Sequence, residues 1–422
     1  MQEAFLHFLW RWRRFDAQDL RTTEGQPLEI VHPGEPNTDA GPDFFNARIR
    51  IGDTLWAGNV EIHLRASEWM AHRHDADRAY DNVILHVVLD EDAVITRAHG
   101  QRLPCLSLRS RIPAELLQQY ERLMHARDWV PCASRMSEVS PVTKVSWLDR
   151  LLVERLQEKT EQVAHRLAET GQHWEEAFYR QLAYNFGLKI NADTFEQLAR
   201  ITPLQLLCRH RDNLLQLEAL LFGQAGFLTD PPADEYTCTL QREYHFLQHK
   251  YRLNPLSASQ WKFFRLRPAG FPTVRIAQLA TLLHRTPQLF SAVLEASRLS
   301  AIEQLFRVEA SPYWHTHHRF GKPSTSRPKP LSASFVHLLL INAVAPFLFH
   351  YGSQKNLPQH RNQALYLLDA LPAERNTVLE HWQQLGFALH NAGQGQALLH
   401  LKTRYCNALR CLDCAIGIAL LR

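Results

Sequence analysis

The stretch FFNARIRIGDTLWAGNVEIHLR, residues 44–65, decides the fold of the first part of the chain. Phe45, Ala47, Ile49 and Ile51 recur at every second position, and so do Val60, Ile62 and Leu64. A period of two marks half-buried strands. Gly52-Asp53 between the runs is a tight-turn signal, so Phe44–Ile51 and Thr54–Arg65 are expected to form a hairpin. Burying both apolar sets on one face turns Glu61 and His63 to the other. In a regular strand Asp43 would point with the apolar set. It can meet Glu61 if the strand bulges near Phe44-Phe45, or if it starts at Phe44 and leaves Asp43 in the loop after Pro42.

Residues 3–14 read as an amphipathic helix. Its charge follows the apolar run and no small-residue cleavage site appears, unlike a signal peptide. Pro27 to His32 reads as a short strand. Ser67 is placed to N-cap a short helix through Met70, extended toward Tyr80. Asn82 to Leu89 is a nearly continuous apolar run, expected of a strand buried on both faces. Ala93–Arg97 and Arg102–Leu108 suggest a second hairpin turning at His99-Gly100. Beyond Pro113 strand signals fade. Residues 126–145 read as a linker, and helical periodicity then dominates from 146 to 414, broken at Gly187, Pro203, Gly223, Pro255 and Pro272. The expected organisation is an α/β domain over 1–125, a linker over 126–145 and a helical domain over 146–422.

At 422 residues and 45% apolar composition the chain has ample material for a core. A net charge of +4 does not single out a polyanion binder. The longest apolar stretch, Phe335 to Phe349, is interrupted by His337, Asn342 and Pro346. It falls short of the ~20 residues of a spanning helix. A buried helix is expected there, in a soluble cytoplasmic protein with no membrane partner.

The chemistry concentrates near the hairpin. Pro42-Asp43 is followed 18 residues later by Glu61-x-His63, a variant of the nuclease pattern Pro-Asp…Asp/Glu-x-Lys. Two carboxylates suit Mg²⁺ or Mn²⁺, which activates water and offsets charge at a phosphate. Asp43 and Glu61 are therefore the expected metal ligands. His63 stands where such sites carry Lys and can serve as the base that orients water. His72, His74, Asp77 and Tyr80 follow closely and are expected to line the same cleft, contacting phosphate or adding a ligand. Glu29 is a candidate third carboxylate. The plainer alternative has Asp43 capping a turn and Glu61 and His63 on a solvated sheet face.

Seven cysteines, an odd number spread over a long chain, argue against a secreted disulfide scaffold. Cys406-x4-Cys411-x2-Cys414 can bind Zn²⁺ or an iron–sulfur cluster, with His400, Cys132 or Cys105 as a fourth ligand. The alternative is small apolar side chains packed on a helix. Residues 310–368 lack acidic groups and carry Arg319, Lys322, Arg327, Lys329, Lys355 and Arg361. Arg265, Arg267 and Arg275 lie near Trp261, Phe263, Phe264 and Phe271. Charge with aromatic stacking suits DNA or RNA, against the plainer reading of solvated loops and snorkelling arginines.

Segments along nearly the whole chain resemble a bacterial family known as a domain of unknown function. They include Asp39–Phe44, Gly58–His63, Ala79–Val88, Glu218–Gly226, Arg265–Pro268, Phe271–Ala280 and Cys411–Cys414. A more distant resemblance, carried by Asp43, Glu61 and the order helix, strand, strand, strand, helix, strand, is to the restriction-endonuclease-like PD-(D/E)xK nucleases. It implies an α+β fold, with an endonuclease-like αβββαβ core followed by a large all-helical domain. It also implies metal-dependent phosphodiester hydrolysis of DNA or RNA. The rival expectation is a non-catalytic nucleic-acid-binding or scaffold protein that keeps a degenerate nuclease-like domain.

Overall fold

The computed structural model describes residues 1–97, 100–296 and 298–421. The fold is α+β, with an N-terminal sheet and a large helical part. Two compact units divide the chain. The first joins Met1–Trp147 to the segment from Leu401 onward, and the second is Leu148–His400. The sequence placed residues after 400 with the helical domain. In the structure they group instead with the sheet.

In the first unit, helix α1 (Glu3–Trp12) buries Phe5, Leu6, Phe8, Leu9 and Trp10. It packs on the sheet at its longest strand. Arg13 adopts a left-handed conformation (φ 49°) and ends the helix. The strands are β1 (Leu28–His32), β2 (Glu35–Pro36), β3 (Phe44–Ile51), β4 (Thr54–Arg65), β5 (Val83–Asp90) and β6 (Cys105–Ser107). Their order is β1-β3-β4-β5-β6, with β2 also on β3. β1, β3 and β4 are antiparallel in turn, whereas β4-β5 and β5-β6 are parallel.

The β3–β4 hairpin has the expected ends. Gly52 at its turn has φ +57°, in the left-handed region where a side chain is unfavourable. One expectation fails inside β3. Phe44 is buried and Phe45 only half-buried, because the register slips between Phe44 and Ala47 at Asn46 (φ 58°). Ala47, Ile49 and Ile51 then face the core as expected. Strand β3 also begins at Phe44. Both routes that could turn Asp43 toward Glu61 are therefore present together.

Parallel pairing of β4 with β5 requires a crossover. Residues 66–82 supply it through α2 (Glu68–Ala71) and two 3-10 turns, His74–Ala76 and Arg78–Tyr80. Left-handed Arg73 (φ 62°) stops α2 from reaching Tyr80. Ser67 does not cap the helix. Its hydroxyl donates to Asp92 at 2.7 Å. β5 is buried on both faces through Val88, as its apolar run requires. The expected hairpin over 93–108 is reduced to a bridge between Thr96 and Arg102. Cys105–Ser107 instead extends the main sheet beside β5. The turn residue His99 lies outside the described residues.

A helix not expected from the sequence, α3 (Ala114–Met124), follows. The segment read as a linker contains a 3-10 turn, Ala133–Glu138, and buries Val130, Cys132, Met136 and Val139. Helix α4 (Pro141–Glu169) starts within it.

The second unit is mainly helical around one aromatic-rich core that includes Phe178, Phe186, Phe222, Phe290, Trp314 and Phe347. It is not all-helical as expected, because His317–Arg319 and Lys322–Pro323 pair as a two-stranded antiparallel sheet. The expected helices recur as Trp174–Phe186, Ala192–Ile201, Pro272–Arg285 and Pro358–Ala370. The expected helix over 373–390 shortens to Thr377–Gln384, and the one over 394–414 ends at His400. The helical run Ala333–Gln354 extends to 22 residues and is the one described stretch long and apolar enough to span a membrane. Its apolar window is 61% buried within the protein, as a core helix requires.

Candidate metal centre

Four elements bring polar groups to one face of the first unit. α1 supplies His7, the loop before β3 supplies Asp43, β4 supplies Glu61 and His63, and the crossover supplies His72, His74 and Tyr80. The register pairs Glu61 with His86 across β4 and β5. Directly paired residues share a sheet face, so His86 lies beside them. Glu61, His63 and His86 are buried to within 4% of full enclosure, while His72 is exposed and opens the cluster to solvent.

Asp43 and Glu61 are clasped through the backbone. The Asp43 N–H donates to Glu61 Oε2 at 3.1 Å, and the Ile62 N–H donates to Asp43 Oδ2 at 2.9 Å. This leaves Glu61 Oε1 facing the imidazoles. His74 Nε2 is 3.3 Å from it and His63 Nε2 is 3.7 Å away. His63 Nε2 is in turn 3.2 Å from His72 Nδ1. One ligand atom from each of His63, His72 and His74 lies within 4.8 Å of the others. Zinc-like bonds of ~2.0–2.2 Å put neighbouring ligand atoms ~3.3–3.5 Å apart around a tetrahedral ion. The His63–His72 and His74–Glu61 separations, 3.2 and 3.3 Å, are close to such edges, and the His63–Glu61 separation of 3.7 Å is slightly wider.

The remaining ring nitrogen of His63, Nδ1, meets His86 Nε2 at 2.9 Å. If His63 Nε2 carries a metal, Nδ1 must donate to His86, which fixes both tautomers. On the other flank His7 Nε2 lies 3.4 Å from Asp43 Oδ2. Tyr80 stacks on His74 with centroids 3.8 Å apart.

The electrostatics are those of a site short of positive charge. Burial, with the Asp43 carboxylate beside it, pushes Glu61 up to about 9. Burial and the neighbouring histidines drive His63 down to about 3, and burial with His74 takes His86 down to about 4. Burial, with Glu61 and Asp43 nearby, raises Tyr80 to about 12. Neutral imidazoles are metal-ready, and a cation would reverse the penalty on Glu61. His74 Nε2 is buried without a hydrogen bond although it faces Glu61 Oε1. A shared ion would account for that orphaned atom. The donor set of one carboxylate and three imidazoles fits Zn²⁺, Mn²⁺ or Fe²⁺ better than Mg²⁺, which prefers oxygen.

Of the residues singled out in the sequence, Asp43, Glu61, His63, His72, His74 and Tyr80 converge. Asp77 does not enter the ligand cluster; its carboxylate caps the next turn by accepting the Ala79 N–H at 2.9 Å. Glu29 is on β1 and pairs with Arg50 at 3.1 Å, both largely exposed. Arg265, Arg267 and Arg275 belong to the second unit. Arg265 and Arg267 are exposed beside exposed Phe264. Arg275 stacks 3.5 Å over Phe335 and donates to Gln278, so its guanidinium is used internally. Lys329 is buried and bonds the carbonyls of Trp314 and His315, and Arg319 stacks on Phe263. Cys406, Cys411 and Cys414 line one small cavity with Cys132, and no three of their sulfurs lie within 4.8 Å of one another. Cys105 lies apart on β6 near Glu91 and Arg102, and His400 faces Glu154 and Glu158.

His7 and His86 were not anticipated. A polar imidazole inside the doubly buried run of β5 was a legible sign for His86. His7 needed the packing of α1 on the sheet, which no local pattern contains.

Residues 3–377 match the family described as Protein of unknown function (DUF2851). The chain belongs to this family. The match takes in every residue of the histidine–carboxylate cluster and ends before the C-terminal cysteines. No curated protein and no solved structure matches the chain.

Proposed function

We propose that the first unit is a metal-dependent hydrolase of phosphodiester bonds in DNA or RNA. The observation that carries this reading is the cluster of imidazole nitrogens from His63, His72 and His74, with Glu61 Oε1 beside His63 and His74 and Asp43 clasped to the same carboxylate. Glu61, His63, His72 and His74 would hold the ion, which would supply Lewis acidity at the phosphoryl oxygen and a water acidic enough to attack near neutral pH. His86 orients His63 by receiving its Nδ1–H. Burial pulls His7 down, but hydrogen bonding and charge from Asp43, with Glu3, raise it overall. It is thus the imidazole of the cluster whose protonated form its neighbours favour, and the one placed to protonate a leaving oxygen. The order α1, β1, β3, β4, α2, β5 supports an endonuclease-like core with β2 as an edge addition. Exposed Phe264, Arg265 and Arg267 in the second unit support a nucleic-acid substrate.

The test is cleavage of single-stranded DNA, duplex DNA and RNA by the full chain with Mn²⁺, Zn²⁺ or Mg²⁺, comparing wild type with Glu61→Ala. The expected result is cleavage with Mn²⁺ or Zn²⁺ that falls at least ~100-fold in the variant. Equal cleavage by both proteins rejects the site. Tight nucleic-acid binding without cleavage under any ion favours the binding or scaffold reading.

A further inference from the structure

The cysteines form a second cluster whose argument is independent of the histidine site. After His400 the chain takes a π-helical turn, Leu401–Cys406, then tight turns, then a short helix, Ala415–Leu420. Lys402 Nζ donates to the Trp129 carbonyl at 2.7 Å across 273 residues of sequence. The short helix packs on the 3-10 turn Ala133–Glu138, which Cys132 precedes. Cys132, Cys406, Cys411 and Cys414 then line one small cavity, closed by Pro131 and Gly417. All four thiols are buried. Cys105, Cys208 and Cys238 do not line it.

One further observation, Gly417, separates this from ordinary thiol packing. A Cβ there would strike the Cys411 carbonyl, so only glycine lets the Cys411 turn close onto the helix Ala415–Leu420.

We propose that Cys132, Cys406, Cys411 and Cys414 bind one thiophilic metal centre, a Zn²⁺ ion or an iron–sulfur cluster, which fastens the returning C-terminal segment to the first part of its unit. Four protein ligands leave no open position, so the centre is structural. Loading releases the thiol protons as the sulfurs become thiolates.

The experiment uses the full chain purified without oxygen. Metal and acid-labile sulfide per chain separate the two forms, since sulfide with iron marks a cluster and zinc without sulfide marks the ion. Exchange into Co²⁺ then counts sulfur ligands through sulfur-to-cobalt charge-transfer absorption, to which the imidazole site makes no contribution. We expect a four-thiolate signature or a sulfide-containing cluster in the wild type. We expect at least about a tenfold loss of metal retention in Cys132→Ser and in Cys414→Ser, and none in Cys238→Ser. Rapid alkylation of all four thiols in the folded wild type, a disulfide at Cys132, or wild-type retention in Cys132→Ser would overturn the assignment. Should Cys132→Ser fail to fold, the wild-type cobalt spectrum decides alone, because fewer than four sulfur ligands rejects it.

Discussion

Replacing Glu61 with Gln should have opposite effects with and without a metal ion. Glu61 is buried and is pushed from an ordinary 4.5 to about 9. A raised carboxyl binds its proton more tightly folded than unfolded. The stability it contributes is therefore complete below pH 4.5 and is lost progressively as pH rises toward 9. Each pH unit in that window costs ~1.36 kcal/mol, giving about 3 kcal/mol by pH 7 and about 5 kcal/mol by pH 8.5. Gln mimics the protonated acid and carries no such term. After chelation, Glu61→Gln should match wild type near pH 5 and exceed its stability by several kcal/mol at pH 8.5. With Mn²⁺ or Zn²⁺ the order should invert, because only wild type keeps the anionic ligand and gains from binding. Urea unfolding read by hydrogen exchange of β4 peptides isolates the first unit. Parallel stability curves for the two chelated proteins from pH 5 to 8.5 would refute the reasoning.

On the acid side, His63 and His86 are held neutral, at about 3 and about 4. Their contribution is complete above pH 6.5 and lost as pH falls through those values, so His86→Leu should flatten acid unfolding between pH 6.5 and 4, measured by circular dichroism. His72→Ala should weaken metal binding by about 10–100-fold in isothermal titration, yet change stability by under ~0.5 kcal/mol because His72 is exposed. Glu29→Ala should cost under ~1 kcal/mol and leave metal affinity unchanged, because its pair with Arg50 is solvated. Gly58→Ala should cost about 1–3 kcal/mol in urea unfolding, since a Cβ there meets Ile84 and sits 2.6 Å from the Asn82 carbonyl, where β5 begins.

The hairpin around Gly52 was legible because alternation and turn chemistry are local, and the same holds for β5, whose unbroken apolar run reports burial on both faces. Asp43 was harder. Its direction depends on left-handed Asn46, and nothing in a strand-forming run announces a register slip of one residue. Glu61, His63, His72 and His74 were visible as a concentration of polar groups. That imidazoles rather than Asp43 surround Glu61 Oε1 was not, because backbone N–H groups occupy the facing oxygens and only folding fixes which ones. The arginines illustrate the converse error. Arg275 beside aromatic residues looked like a surface for bases, but the ring it stacks on is the protein's own Phe335.

The split of the first unit between residues 1–147 and the segment after 400 bears on how the protein is made. A ribosome adding ~5–20 residues per second holds the N-terminal part of that unit incomplete for roughly 10–50 s while the helical unit emerges. During that interval the surface later covered by the C-terminal helix has no partner, and nascent chains stalled or truncated before residue 400 would carry it uncovered. Release of such chains should recruit chaperones that a chain carrying the segment after residue 400 no longer needs. Completion of the first unit is thus timed by the segment after residue 400 rather than by residues 1–147.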